Sequence, residues 1–576
     1  MSLSRSLPLF IVGLIANAVA QSTPIGGLSG THTDIPRWCG KPYQYGPNYS
    51  PAGWLAPPTP SASLMLDVQV TPRHSIYVSS EKTGEMIVDA SLSSIHGQPF
   101  MNSTAPDFGA NTSSSSPFTE LNFDIRLEET GEALVSNNVS VNTTNNLLQF
   151  DLTILEPRLE PHPVVFYGAP MQSYQNQTYI AATEIYYLPA KDNGSTVKID
   201  NLYGGMIVAN NATNYTFTPL LPVGLYTSCD GYLNYSLANV TAYKDLGFNA
   251  INPVCAFTDG DLAYLFDWLD ATELWYQYDM RNSYLNLTQV EEQIPLVKDR
   301  ESLLSWYTAD EPDGWQYALN STRLAYELLK REDPYHPTGL VLNCYNYYFD
   351  EYTSGADYVM EDAYPVGINA TWSYNWNTAC NLTYGDCGCD DCLGELQDVS
   401  IRLDAYYEYQ EWLGGLEKPV WSVLQAFSDD GYWKRDPTTK ETWAMMVLSF
   451  NHGAKAIMSW DFPTGVDLAR AHGEMARAAT ASPVKDFLVG TRPMRVAVDG
   501  HSSLDVAYWV LDNRVMVGVA NTGYADINES VSIELPVKAS NVSLQPWGSA
   551  GWSVVDGKLT SEAFDGLETS FVILDL

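Results

Sequence analysis

Hydrophobic and polar positions change their period twice along the chain. Between residue 62 and about residue 220 the apolar runs are short and strand-like, at 75–78, 86–90, 147–155, 164–167 and 196–199. Loops of Asn, Ser, Thr and Gly separate them, with almost no helical period. Short strands at regular spacing with turn residues between them predict an antiparallel β-sandwich over 61–220. From Pro222 strand-like and helix-like stretches alternate. Eight strands are expected at 223–226, 250–254, 274–278, 304–307, 339–342, 358–360, 420–424 and 456–460. Amphipathic stretches lie between them at 237–246, 262–269, 290–304, 315–330, 399–413, 441–450 and 466–487; the link between the fifth and sixth strands lacks one. Eight alternations in about 270 residues, with strands apolar on both faces, predict a (β/α)₈ TIM barrel over 221–489. A doubly wound open sheet alternates likewise, but no Gly-rich phosphate turn follows the first strand. Strands return at 494–498, 504–510, 515–519, 531–535 and 571–574, which predicts a small C-terminal β-sandwich over 490–576.

The N-terminus adds a destination. Ser4-Arg5, an apolar stretch over 7–15 and Ala18-Val19-Ala20 read as a secretory signal peptide over 1–20, cut before Gln21. Residues 21–60, rich in Gly, Pro, Ser and Tyr, read as an extended segment laid over a surface and pinned by Cys39. No later apolar run is long enough to span a bilayer. Seventeen N-x-S/T sequons and eight cysteines fit a glycosylated, disulfide-bonded, extracellular protein. The formal charge of -38 argues against nucleic acid or an anionic membrane as partner, since phosphate would be repelled. A monomer is expected.

A barrel carries its functional groups at the C-terminal ends of its strands. Read in order, those ends hold Asp279 and Arg281 (third), Asp310 and Glu311 (fourth), and Asn343 and Tyr345 (fifth). Glu361, Asp362 and Tyr364 follow the sixth, Gln425 the seventh, and Trp460 and Asp461 the eighth. A sugar ring needs this mixture: aromatic faces for stacking, with acids and amides for its hydroxyls. The stretch Ser305-Trp-Tyr-Thr-Ala-Asp-Glu-Pro-Asp-Gly-Trp315 ends a strand on two carboxylates beside aromatics, the setting for protonating a glycosidic oxygen. The plainer alternative is an acidic helix N-terminus, with a helix starting at Trp315. For the second carboxylate Asp362 ranks first, then Asp461, then Asp279; a gap of ~5–5.5 Å serves a retaining route and ~6.5–9.5 Å an inverting one. Asp310, Asp279, Arg281, Asn343, Tyr345, Glu361, Tyr364, Gln425 and Trp460 are candidate substrate contacts, though Glu361 points to the opposite face from Asp362 if its strand stays regular.

No metal or cofactor is expected. The cluster Cys380-x₆-Cys387-x-Cys389-x₂-Cys392 fits two loop disulfides better than zinc, and this loop, with Trp372 and Trp376, is expected to form one wall of a cleft. Cys229 with Cys255 would join the first two barrel units and leave Cys39 for Cys344; other pairings stay open. Neither a Gly-x-Ser-x-Gly elbow nor a His-Glu-x-x-His motif occurs.

These features resemble the large clan of (β/α)₈ glycoside hydrolases. The resemblance makes Glu311 the fourth-strand acid/base and Trp460 the eighth-strand Trp under the substrate. Asp357-Tyr-Val-Met-Glu-Asp-Ala-Tyr-Pro365 is similar to the sixth-strand D-x-V-x-x-D-x-Y-P signature of several such families, and the whole chain is similar to fungal secreted proteins assigned there on fold. It implies a glycoside hydrolase acting on a polysaccharide or oligosaccharide. Two positions depart from the pattern: Asp310 stands where the clan has Asn, and Gln425 where it has its nucleophilic Glu. Gln carries no covalent glycosyl intermediate, so the alternative is a glycan-binding or wall protein on a decayed barrel.

Overall fold

The computed structural model describes residues 36–45, 53–100, 118–171, 177–255 and 262–576. The expected signal peptide and the sequons at Asn48, Asn102, Asn111 and Asn176 lie outside them.

Two four-stranded antiparallel sheets come first. One orders Gln98–Pro99, Met65–Pro72, Thr83–Ser93 and Thr143–Asp151; the other Tyr179–Ile185, His162–Pro170, Glu120–Leu127 and Ala133–Ser140. Their inner faces meet through alternate residues, Leu66, Val68 and Val70 on one side and Leu121, Phe123 and Ile125 on the other. That alternation is what a half-buried strand writes into a sequence.

The strand at Thr196–Ile199 belongs to neither sheet. With Met206–Ala209 and Thr218–Leu220 it forms a three-stranded sheet. Val197, Ile199, Met206 and Val208 of this sheet pack with Tyr226, Ala250, Trp275 and Leu304 inside the barrel. It therefore plugs the end of the barrel opposite the strand ends that carry the acids.

Eight parallel strands close the barrel in sequence order: Val223–Ser228, Ala250–Val254, Trp275–Asp279, Leu303–Asp310, Thr338–Leu342, Tyr358–Glu361, Val420–Ser422 and Ile457–Phe462, the last pairing with the first. All eight expected strands are present. The fourth runs on to Asp310 across a register shift after Tyr307, which carries the acids to the rim. Helices follow most strands, but two expectations shift. The helix expected from Trp315 begins at Ser321, because Glu311 and Gln316 hold left-handed φ values of 48° and 55° and keep the intervening chain irregular. The fifth-to-sixth link does contain a helix, the five residues Phe349–Thr353.

After the barrel helices, five strands (Met494–Arg495, Leu504–Leu511, Arg514–Asn521, Thr569–Asp575 and Asn541–Trp547) face three more (Val531–Ile533, Lys558–Ser561 and Ser553–Val555). They share an apolar core of Val506, Val517, Val519, Ile533, Leu559 and Val572. Four disulfides, Cys39–Cys344, Cys229–Cys255, Cys380–Cys387 and Cys389–Cys392, account for all eight cysteines. No helix among the described residues is long and apolar enough to cross a membrane.

Candidate active site

Side chains alternate in and out along each barrel strand, and this sorts the candidates. On the sixth strand Val359 packs against the helix layer and Met360 inside the barrel. Glu361 follows Val359 outward, where its Oε2 accepts the Ala363 N–H at 3.0 Å and Arg402 lies near. Asp362 follows Met360 inward and lines a cleft of ≈ 340 Å³ at the C-terminal rim. Asp310, Glu311, Asn343, Tyr364 and Trp460 line it too. Asp279, Arg281, Tyr345, Glu361, Gln425 and Asp461 do not.

Glu311 and Asp362 are joined. The fourth and sixth strands bring their carboxyl groups within hydrogen-bonding reach of each other in the cleft, a contact that needs a proton between them. Desolvation on the cleft floor raises Glu311 to about 7, with Asp310 and Asp313 adding repulsion and the bond from Asp362 opposing the rise. Desolvation and then the charge of Glu311 hold Asp362 well above the usual carboxylate range. Two carboxyls this close cannot both ionise cheaply, so the pair holds a proton to higher pH than an isolated carboxyl would. Asp362 Oδ1 also accepts from Asn343 Nδ2 at 3.2 Å.

The remaining acids have other partners. Arg281 donates to Asp279 Oδ2 at 2.8 Å and to Asp310 Oδ2 at 2.8 Å, while Tyr307 O–H donates to Asp310 Oδ1 at 2.6 Å. The guanidinium faces the rings of Tyr226, Tyr307 and Trp460 at 5.3–5.6 Å, so Arg281 supports the floor from below. Asp313, fully buried, accepts the backbone N–H groups of Gly314, Asn343 and Cys344, tying the fourth-strand turn to the fifth. Desolvation outweighs those three donors and raises it to about 7. Asp461 stands one residue before the end of the eighth strand, which lies across the ring from the fourth. Desolvation and then Asp430, a cleft-lining residue, raise it to about 6.

Gln425 is fully buried. Its Nε2 donates to the carbonyls of Val366 and Phe427 at 3.0 and 3.1 Å, and its Oε1 accepts the Val366 N–H at 2.9 Å. It locks two rim loops together where the clan's nucleophile was expected. Tyr345 stacks its ring beneath Arg402 at 5.2 Å, away from the cleft.

Several lining residues are not among the candidates chosen from the sequence: Trp38, Tyr43, Asp386, Phe427, Tyr432 and Trp433. They form one wall. Tyr43 stacks on Trp376 (4.3 Å, 13°), Trp376 Nε1 donates to Tyr432 Oη at 3.0 Å, and Tyr432 O–H donates to Asp386 Oδ2 at 2.5 Å. Asp386 comes from the disulfide loop, and Phe427 and Trp433 meet at 4.9 Å. Among the described residues, no group of three or more His, Cys, Asp or Glu is placed to hold a metal ion.

No family model matches the chain. No curated protein matches it in sequence. Among solved structures it is similar to a GH30 endoxylanase from Clostridium papyrosolvens (13% identity, 62% of this chain and 97% of that one, TM-score 0.38). An alpha-amylase from Geobacillus thermoleovorans gives 11%, 62%, 98% and 0.40. A beta-glucuronidase from Facaelibacterium prausnitzii gives 11%, 88%, 74% and 0.32. Identities and scores this low carry no functional weight.

Proposed function

We propose that the chain is a glycoside hydrolase in which Glu311 is the general acid. One observation carries this: a proton-sharing pair of carboxyls on the floor of an aromatic-walled cleft, with Glu311 raised to about 7. A carboxyl so shifted is still protonated in mildly acidic surroundings and can hand its proton to a leaving glycosidic oxygen. The substrate is a polysaccharide or oligosaccharide, because Tyr43, Tyr432, Trp433 and Trp460 line the cleft with aromatic rings on which sugar planes can stack. The four disulfides and the expected signal peptide support action outside the cell.

Asp362 takes a different part from the one its rank suggested. A carboxyl hydrogen-bonded to the acid is closer than the ~5 Å of a retaining pair, so Asp362 tunes Glu311 rather than opposing it across the scissile bond. Gln425 removes the seventh-strand nucleophile. The opposing group, a base for water, is drawn from Asp430, which lines the cleft, and its neighbour Asp461, which stands behind the lining. The glycan-binding alternative draws its support from the same locked Gln425.

The test is a panel of plant, fungal and bacterial wall glycans incubated with the wild type and with Glu311→Gln, scored for new reducing ends and for binding. Hydrolysis by the wild type, lost in Glu311→Gln with binding retained, is expected. Binding without cleavage across the panel by the wild type would establish the alternative.

A further inference from the structure

The extended N-terminal segment reaches the acid pair through two hydrogen bonds. Trp38 sits in a small hairpin, Arg37–Trp38 against Lys41–Pro42, whose turn residues Cys39 and Gly40 have φ of 49° and 70°. Three ties hold this hairpin on the rim. Cys39 is disulfide-bonded to Cys344, Lys41 Nζ lies 2.6 Å from both Asp390 and Asp391, and Gln316 Nε2 donates to the Arg37 carbonyl at 3.1 Å. The indole packs edge-on against Trp315 at 5.2 Å and rests on Gly314, where a Cβ would stand 2.2 Å from the ring. Held so, its Nε1–H donates to Asn343 Oδ1 at 2.7 Å.

An indole N–H only donates, so the Asn343 oxygen must face Trp38 and the amide nitrogen must face away. That nitrogen is the group that donates to Asp362 Oδ1 at 3.2 Å. Asp362 Oδ1 is thereby fixed as an acceptor, and the pair's proton is left to the oxygen that faces Glu311. Were the amide reversed, its oxygen would face Asp362 and compete with Glu311 for that proton.

We propose that Trp38 is a positioning residue for the acid: by fixing the Asn343 amide it keeps the shared proton between Asp362 and Glu311. The relay joins residues 305 positions apart in sequence, and the Cys39–Cys344 bridge next to both of them is what holds it. Its catalytic meaning rests on the function proposed above; its existence does not.

Trp38→Phe keeps the ring and removes the N–H. The carboxyl titration of the full disulfide-bonded chain is followed by infrared difference spectroscopy, with Glu311→Gln and Asp362→Asn assigning the pair's bands. Loss of a donor to the ionised form raises the pair, so an upward shift of about half a pH unit or more is expected, matched by the alkaline limb of any pH–rate profile. Trp315→Phe, outside the relay, leaves the titration in place. Asn343→Leu breaks the relay from its other end and serves if Trp38→Phe fails to fold. A folded Trp38→Phe or Asn343→Leu whose titration superimposes on the wild type overturns the proposal, whatever the activity. A shifted titration in a chain that cleaves nothing keeps the relay and removes the hydrolase reading.

Discussion

Glu361 and Asp362 are adjacent in sequence and face opposite sides of the barrel wall. Asp362 shares a proton with Glu311 in the cleft; Glu361, fully buried, faces the helix layer with a single N–H donor on Oε2. Desolvation raises Glu361 to about 7, opposed by the bond from Ala363, by the Ser422 hydroxyl and by Arg402. A folded-state value above the unfolded one means the favourable contribution is complete below about pH 4.5 and is lost as pH rises through about 7. Glu361→Gln removes that loss. We expect the variant to match the wild type in stability near pH 4 and to exceed it at pH 8, by roughly 3 kcal/mol at most, in denaturant unfolding at the two pH values. A stability difference that does not change between them contradicts the assignment. At this scale Glu311 was legible, because a strand ending in acids beside aromatics is a local pattern. Its proton-sharing with Asp362 was not, since that depends on how the fourth and sixth strands are staggered around the ring. Trp38 was hidden by distance along the chain. The usable sign was Cys39: paired with Cys344, it sets Trp38 beside Asn343.

The short seventh strand, Val420–Ser422, ends before the rim, and Gln425 restores order beyond it. Its amide holds the carbonyls of Val366 and Phe427 and the N–H of Val366, so the loops after the sixth and seventh strands are tied together. Restoring the clan's acid would break this lock. Gln425→Glu turns two N–H···O=C bonds into a carboxylate facing two carbonyls in a buried site. We expect a destabilisation of about 2–4 kcal/mol, read as a lowered melting temperature, and no gain in hydrolysis. A variant of unchanged melting temperature and raised activity would instead make position 425 a decayed nucleophile site. Elements with a clean period were legible throughout, as all eight barrel strands show. Thr196–Ile199 was not, because a four-residue strand reads alike in a sandwich or a plug. Its physical difference is burial of every residue, Lys198 included, whose ammonium pairs with Glu81 and lies 3.8 Å from the Phe217 ring centre. The late helix start at Ser321 follows from the left-handed Glu311 and Gln316, which sequence does not announce at non-glycine positions.

Across the whole molecule, segments far apart in sequence build one cleft. The barrel supplies Glu311, Asp362 and Trp460, the disulfide loop supplies Asp386, and the N-terminal hairpin supplies Trp38 and Tyr43. The acid stands in an aromatic-lined cleft, and the guanidinium beneath the floor, Arg281, is already engaged by Asp279 and Asp310. This is why Glu311 rises instead of falling. The direct test of Glu311 as the proton donor varies how much the leaving group needs a proton. Wild type and Glu311→Gln are compared on a glycan they bind and on the dinitrophenyl glycoside of the same sugar, over pH 4 to 9. We expect Glu311→Gln to lose glycan hydrolysis by on the order of 10²–10⁴-fold, to keep most of its rate on the dinitrophenyl glycoside, and to lose the alkaline limb near pH 7. Equal loss on both substrates, or glycan hydrolysis at the wild-type rate, would contradict it.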